Sequence, residues 1–179
     1  MTEVGVGVIG LGNVGLGTLE ILAGNARSIR EKLGFSLKTK AVCSRSADKK
    51  QLPDFGAPVA RTNDWTEIVR NPEIDIVVEA VGGTGVAAQI VETALRARKS
   101  VVTANKELMA ARGAELWALA NQNGVNLAME ASVAGGIPIH TVLREGIAGD
   151  RVLELYGVLN GTSNFILTEI EKSGAAFES

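Results

Sequence analysis

The chain has 179 residues, with 18 Lys+Arg against 20 Asp+Glu and a formal net charge of −2. That length holds one domain, or one and part of another, with enough chain to bury a core. The near-balanced charge argues against a general nucleic-acid binder, which needs a basic surface to neutralise phosphates.

The single cysteine, Cys43, allows no internal disulfide and fits a reducing compartment; one His with one Cys cannot build the usual N/S zinc site. Met1-Thr2-Glu3-Val4-Gly5-Val6-Gly7 has no basic segment followed by a long apolar stretch, so it does not read as a signal peptide. No apolar run reaches membrane-spanning length, and the expectation is a soluble, cytoplasmic protein with no membrane partner.

In chain order, Val4 to Ile9 is predicted as a strand bounded by Gly10, and a helix follows from Asn13 with Val14, Leu19, Leu22, Ala26, Ile29 and Leu33 near one face. Leu37 to Ser44 is the second strand. Arg45 to Ala60 holds Pro53, Gly56 and Pro58 and reads mostly as loop. Asp64-Trp65-Thr66-Glu67 has the spacing of a capping box and opens a short helix ending before Pro72. Ile74 to Ala80 is a buried strand, Thr84 to Arg98 a helix, and Ser100 to Ala104 a strand. Asn105 is placed to cap a helix that Gly124 stops, and Val125 to Met129 is the next strand. The strand–helix alternation predicts a doubly wound parallel sheet, an α/β Rossmann fold.

The rhythm changes after Gly135. Pro138 to Ile147 reads as helix, Arg151 to Leu159 as a strand, and Thr162 to Lys172 as a last helix capped by Thr162 or Ser163. The expected division is therefore a dinucleotide-binding domain over 1–135 and the beginning of an α+β substrate and dimerisation domain over 136–179.

The sharpest motif is Gly10-Leu11-Gly12-Asn13-Val14-Gly15, a G-x-G-x-x-G that follows a strand and opens a helix. Gly10 permits the tight turn, Gly12 lets a pyrophosphate approach the backbone, and Gly15 lets the helix pack closely on the strand. The helix start then offers free N–H groups to phosphate. An acidic residue at the end of the second strand would bind an NAD ribose, but the strand ends Val42-Cys43-Ser44-Arg45-Ser46. Arg45 and Ser44, with Lys49 or Lys50 assisting, suit a 2′-phosphate, which favours NADP and leaves NAD open, with Asp48 close by.

Three further strand ends look specialised. Val81 and Gly82, in Glu79-Ala80-Val81-Gly82-Gly83-Thr84, let the backbone pass close to the cofactor, or form a plain strand-to-helix turn. Lys106 opens a helix directly after a buried strand, where a cation opposes the helix dipole; a role toward a carbonyl oxygen or carboxylate then stands beside that of an exposed first-turn lysine. Glu130 to Pro138 leaves a strand through small residues. Carbonyls in such a bend, with the charge of Glu130, can hold a hard cation, or the bend simply joins two domains.

Together the segments 8–15, 102–106, 130–138 and Gly157-Val158-Leu159-Asn160-Gly161-Thr162-Ser163-Asn164-Phe165-Ile166-Leu167 resemble homoserine dehydrogenase, in order and over nearly the whole chain. The resemblance implies reduction of aspartate 4-semialdehyde to homoserine with NADPH or NADH, on the route to threonine, methionine and isoleucine. It implies that Gly10 to Gly15 hold the pyrophosphate, Arg45 the 2′-phosphate, and that Val81 and Gly82 line the cofactor. Lys106 matches the family's active-site lysine of the nucleotide-binding domain. The carbonyls of Val133, Gly135 and Ile137, with Glu130, match a monovalent cation site, usually sodium. Gly157, Asn160 and Thr162 fall near the hinge and substrate pocket. In the family the substrate domain continues further and carries a second lysine. The expectation is therefore a fragment of a homo-oligomeric enzyme that binds cofactor and turns over poorly. Two rival readings are another NADP-dependent oxidoreductase acting on a small aldehyde or amino acid, and a non-catalytic nucleotide-sensing module.

Overall fold

The computed structural model describes residues 2–157, 160–174 and 176. Its centre is a six-stranded, all-parallel sheet in the order β3-β2-β1-β4-β5-β6. The strands are β1 (Glu3–Ile9), β2 (Ser36–Cys43), β3 (Ala60–Thr62), β4 (Ile76–Glu79), β5 (Ser100–Thr103) and β6 (Leu127–Ala128). Side chains alternate between the faces, as the period of two requires. Ile9, Ala41, Cys43 and Val77 join one core with helices α3 (Trp65–Arg70), α4 (Val86–Arg96) and α5 (Lys106–Asn123). Val6, Val8, Val42 and Val78 join the other with Leu19 of α1 (Asn13–Gly24). Both faces are thus covered, and the order reverses between β1 and β4, where open α/β sheets bind ligands.

The predicted doubly wound sheet is present, with local corrections. The helix expected from Asn13 through Leu33 is two, because Gly24 and Asn25, both poor helix formers, interrupt it. Asn25 leaves helical geometry at φ −107° and ψ 13°, closes α1 and opens α2 (Ala26–Leu33). Within the segment read mostly as loop, Ala47–Lys49 forms a short 3₁₀ turn, and β3 begins at its far end and pairs with β2. Asp64 caps α3 as expected, accepting from the Thr66 N–H at 2.9 Å. The reciprocal half of the box is absent, because the Asp64 N–H donates to Thr62 Oγ1 at 3.0 Å instead. Asn105 caps α5 through the Leu108 N–H at 3.0 Å, and Gly124 ends it in the left-handed conformation at φ 68°.

Beyond β6 the helix expected over 138–147 is one short turn, α6 (Ile139–Thr141), continuing into a wider π-type turn, Val142–Gly146. The strand expected over 151–159 does not form in its described part. Arg151–Gly157 has no sheet partner among the described residues, and an unpaired strand leaves its backbone groups unbonded. Val158 and Leu159 lie outside the described residues. The last helix, α7 (Gly161–Ser173), is capped by Asn160 rather than Thr162 or Ser163. The Asn160 carboxamide oxygen accepts from the Ser163 N–H at 2.9 Å, and Asn is as good a cap as Ser or Thr.

Candidate functional site

The carboxyl ends of β1, β2 and β4 open onto one cavity of about 490 Å³. Gly10, Leu11 and Gly12 line it from the first turn, Ser44, Arg45, Ser46 and Lys50 from the end of β2, and Ala80 and Val81 from the end of β4. Gly10 holds φ 102°, and a Cβ there would lie 2.5 Å from the Ala80 carbonyl carbon. A Cβ on Gly15 would fall 1.8 Å from the Gly10 carbonyl oxygen, so only glycine lets α1 sit this close to the turn. A Cβ on Gly12 meets nothing within 4 Å. Neither the turn's shape nor its packing requires Gly12 to be bare, and the space in front of it is open. Gly12 is also the N-cap of α1 and makes no side-chain cap bond, so the first amides of the helix are left for a ligand. The residues present therefore fit a pyrophosphate.

The cavity gathers Gly10, Leu11, Gly12, Arg45 and Val81 from the predicted set. Asn13, Val14 and Gly15 lie just beyond it in the first turn of α1, and Gly82 one residue beyond its edge. The Leu11 side chain belongs to the core, so only its backbone is available to a ligand. Sequence reasoning missed Asn63 and Trp65, which reach the cavity from the β3–α3 junction, and Val86 and Ile90 of α4. The visible signal was Asp64-Trp65, whose capping role placed Trp65 at a helix start without saying which strand it followed.

Arg45 is exposed and makes no hydrogen bond or ion pair among the described residues. The turn behind it is fixed. Arg61 of β3 donates to the Ala47 and Lys50 carbonyls at 2.6 and 2.7 Å, which holds the segment carrying Lys50 against the sheet. Cys43 lies at the floor of the cavity and is buried; burial, with Asp64 and Glu67 adding charge repulsion, pushes its thiol up to about 11. At pH 8 such a thiol holds roughly 200-fold less thiolate than an ordinary one. Alkylation by iodoacetamide at that pH is expected to be at least about a hundredfold slower in the folded chain than in urea, read by mass spectrometry. Equal rates would mean that Cys43 is not held as described.

Lys106 lies outside this cavity. It lines a second one, of about 660 Å³, together with Ala131, Ser132, Val133, Ala134, Gly135 and Ile137 of the bend and Asn160, Gly161 and Thr162 at the start of α7. Three segments far apart in sequence thus converge on one space, with the exposed Lys106 as its only cation among the described residues. Glu130 does not line it. One carboxylate oxygen accepts from the His140 N–H at 3.1 Å, the other from the Thr141 N–H at 3.2 Å and hydroxyl at 3.4 Å, so the side chain fastens the start of α6. Among the described residues no cluster of three His, Cys, Asp or Glu side chains is positioned for a metal, so a cation at the bend would rest mainly on backbone oxygens. No helix of the described residues is long and apolar enough to cross a membrane.

Residues 10–130 match the family model described as homoserine dehydrogenase, NAD binding domain, and residues 138–179 match the model described as homoserine dehydrogenase. The homoserine dehydrogenase of Neisseria gonorrhoeae is 42% identical over 177 residues, 99% of this chain and 40% of its own length. That of Pseudomonas aeruginosa is 43% identical over 178 residues, again 99% of this chain and 40% of its own. The chain therefore spans about 40% of the length of the curated relatives it matches. The crystal structure of a homoserine dehydrogenase from Thiobacillus denitrificans superposes with a TM-score of 0.87 at 44% identity, over 99% of this chain and 41% of that one. A hyperthermophilic archaeal homoserine dehydrogenase in complex with NADPH superposes with a TM-score of 0.80 at 26% identity, over 99% of this chain and 59% of that one. With a matching family model over most of its length, this chain belongs to the homoserine dehydrogenase family.

Proposed function

We propose that this chain carries the cofactor-binding half of a homoserine dehydrogenase, which reduces aspartate 4-semialdehyde to homoserine on the route to threonine, methionine and isoleucine. The observation that carries this reading is a pair of cavities: one built as a dinucleotide seat at the reversal of strand order, the other bringing Lys106, the 131–137 bend and Asn160–Thr162 together. In this reading 1–135 form the dinucleotide-binding domain and 136–179 begin the substrate domain of a cytoplasmic homo-oligomer. The separate family-model matches to 10–130 and 138–179 support that division.

When bound, the reduced nicotinamide supplies hydride to the aldehyde carbon. Gly10 to Gly15 hold the pyrophosphate through backbone amides. The Lys106 ammonium binds the substrate's carbonyl oxygen and stabilises the negative charge that develops there. The carbonyls of Val133, Gly135 and Ile137 would hold a monovalent cation, sodium by preference, because hard cations take oxygen donors. Glu130, next to the bend in sequence but fastened to the start of α6 and outside the cavity, would add the set's one formal negative charge without lining it.

The cofactor is NADP rather than NAD. Arg45, Ser44 and Lys50 border the cavity beside the end of β2, and among the described residues no carboxylate lines it to meet a ribose 2′-hydroxyl. A fluorescence titration with NADPH and NADH side by side tests this. NADPH is expected to bind tighter, and Arg45→Ala to weaken it about 10–100-fold, the worth of a charge-assisted phosphate contact, while NADH changes less than about twofold. NADH binding as tightly as NADPH would make Arg45 a bystander. Binding of neither would overturn the dinucleotide reading.

A further inference from the structure

Glu79 ends β4 with 0% of its surface exposed, and no Lys or Arg pairs with it among the described residues. Burying a carboxylate without a counter-charge is costly, and an apolar residue would serve the core better. Hydrogen bonds offset that cost. One oxygen accepts from the N–H groups of Val81 and Gly82 at 2.7 and 3.1 Å. The other accepts from Thr103 Oγ1 at 2.6 Å, across a β4–β5 register that sets Glu79 opposite Thr103. Thr103 has its own oxygen occupied by the Asn105 N–H at 3.0 Å, so its single proton goes to Glu79. Asn105 closes the ring: its amide donates to the Gly83 carbonyl at 2.7 Å, while its oxygen caps α5 at Leu108.

The ring clasps Val81–Gly83 from both ends. Gly82 and Gly83 both hold positive φ, 82° and 71°, a conformation that glycine reaches without strain and other residues rarely adopt. Val81 borders the dinucleotide cavity, and Asn105 directly precedes Lys106. The strand order says which end of the ligand this turn meets. The end of β2, with Arg45, lies on one side of β1 and takes the adenosine ribose, so the end of β4, on the other side, meets the nicotinamide half.

We propose that Glu79 is a positioning residue for the nicotinamide half of the dinucleotide: it shapes the Val81–Gly83 turn and, through Thr103 and Asn105, ties that turn to the helix that presents Lys106. This rests on the dinucleotide reading above, and the test separates the two. Calorimetric titrations of this chain and of Glu79→Gln would use NADPH, NADH and the adenosine half alone, as ADP and 2′,5′-ADP. Glutamine keeps the shape but replaces one accepting oxygen with an NH₂ group. It is expected to weaken the tighter dinucleotide about tenfold and the adenosine half less than about twofold. A merely structural role would move both together. Equal loss for both, no loss for either, or a parent chain that binds the adenosine half as tightly as the dinucleotide would each overturn the proposal. A parent that binds none of the four would instead overturn the dinucleotide reading. If Glu79→Gln does not fold, Thr103→Val, nearly equal in volume, decides by the same comparison. A selective loss of about threefold is expected, and an equal or absent loss overturns the proposal.

Discussion

Gly12→Ala is expected to cost about 10–100-fold in dinucleotide affinity while leaving the melting temperature within about 2 °C of the parent, whereas Gly15→Ala lowers stability by about 3 kcal/mol or more. The two glycines lie in one motif, and the structure separates their roles. Gly12 has φ −80°, which alanine adopts freely, and its added methyl meets no protein atom within 4 Å. The methyl instead occupies the space through which a pyrophosphate would reach the first amides of α1, and each charge-assisted bond lost there is worth a factor of ten or more. On Gly15 the methyl meets the Gly10 carbonyl oxygen at 1.8 Å, and with the Gly10 backbone on one side and the short Ala80 methyl at 3.7 Å there is no flexible side chain to yield. Helix α1 would have to lift from β1, opening the core around Leu19. Thermal melts and NADPH titrations on the two variants check both halves. Unchanged binding by Gly12→Ala would remove the turn as the phosphate seat. An undisturbed melt for Gly15→Ala would mean that α1 does not pack as described.

Legibility in the sequence tracked the range of the forces involved. The first turn was readable because its glycine spacing is a local pattern and Gly15 answers to Gly10 five residues before it, although Gly10 also answers to Ala80 across the sheet. The strand ends bearing Arg45, Val81 and Lys106 were readable because a parallel sheet puts every carboxyl end on one edge. β3 was not, since Ala60-Arg61-Thr62 carries no apolar run and becomes a strand only by pairing with β2. With β3 unread, Asn63 and Trp65 had no route to the cavity. The Glu79–Thr103 bond was equally hidden, because it depends on the β4–β5 register, which no local pattern states. The helix periodicity failed at Asn25 because apolar spacing ran on through a residue pair that breaks the backbone ladder. The unformed strand over 151–157 is the opposite case: its alternation is partial, and alternation selects a face only when there is a sheet to join. Its apolar side chains stand in solvent, Leu153 at 81% and Tyr156 at 87% exposure.

That exposure bears on catalysis. This chain, assayed alone, is expected to bind the dinucleotide yet oxidise homoserine with NADP⁺ at least about a thousandfold more slowly than an ordinary dehydrogenase turning over at roughly 10 s⁻¹. Hydride transfer needs the nicotinamide carbon and the substrate carbon held in contact, with water excluded and a proton donor in place. The dinucleotide cavity supplies the first partner. The Lys106 cavity supplies one cation and backbone from the bend, but among its described lining residues no carboxylate faces the substrate's ammonium group. Ile137, which lines it, is 61% exposed, so water enters freely. The curated relatives extend well beyond the 40% of their length that this chain spans. Extending the chain to their length is expected to restore turnover, and Lys106→Met in that longer protein to abolish it while NADPH binding stays within about threefold. NADPH absorbance and fluorescence read the two quantities separately. Ordinary turnover by the 179-residue chain would show that the cavity at Lys106 already holds everything the chemistry requires. A longer protein that stays active as Lys106→Met would assign the developing charge to a different group.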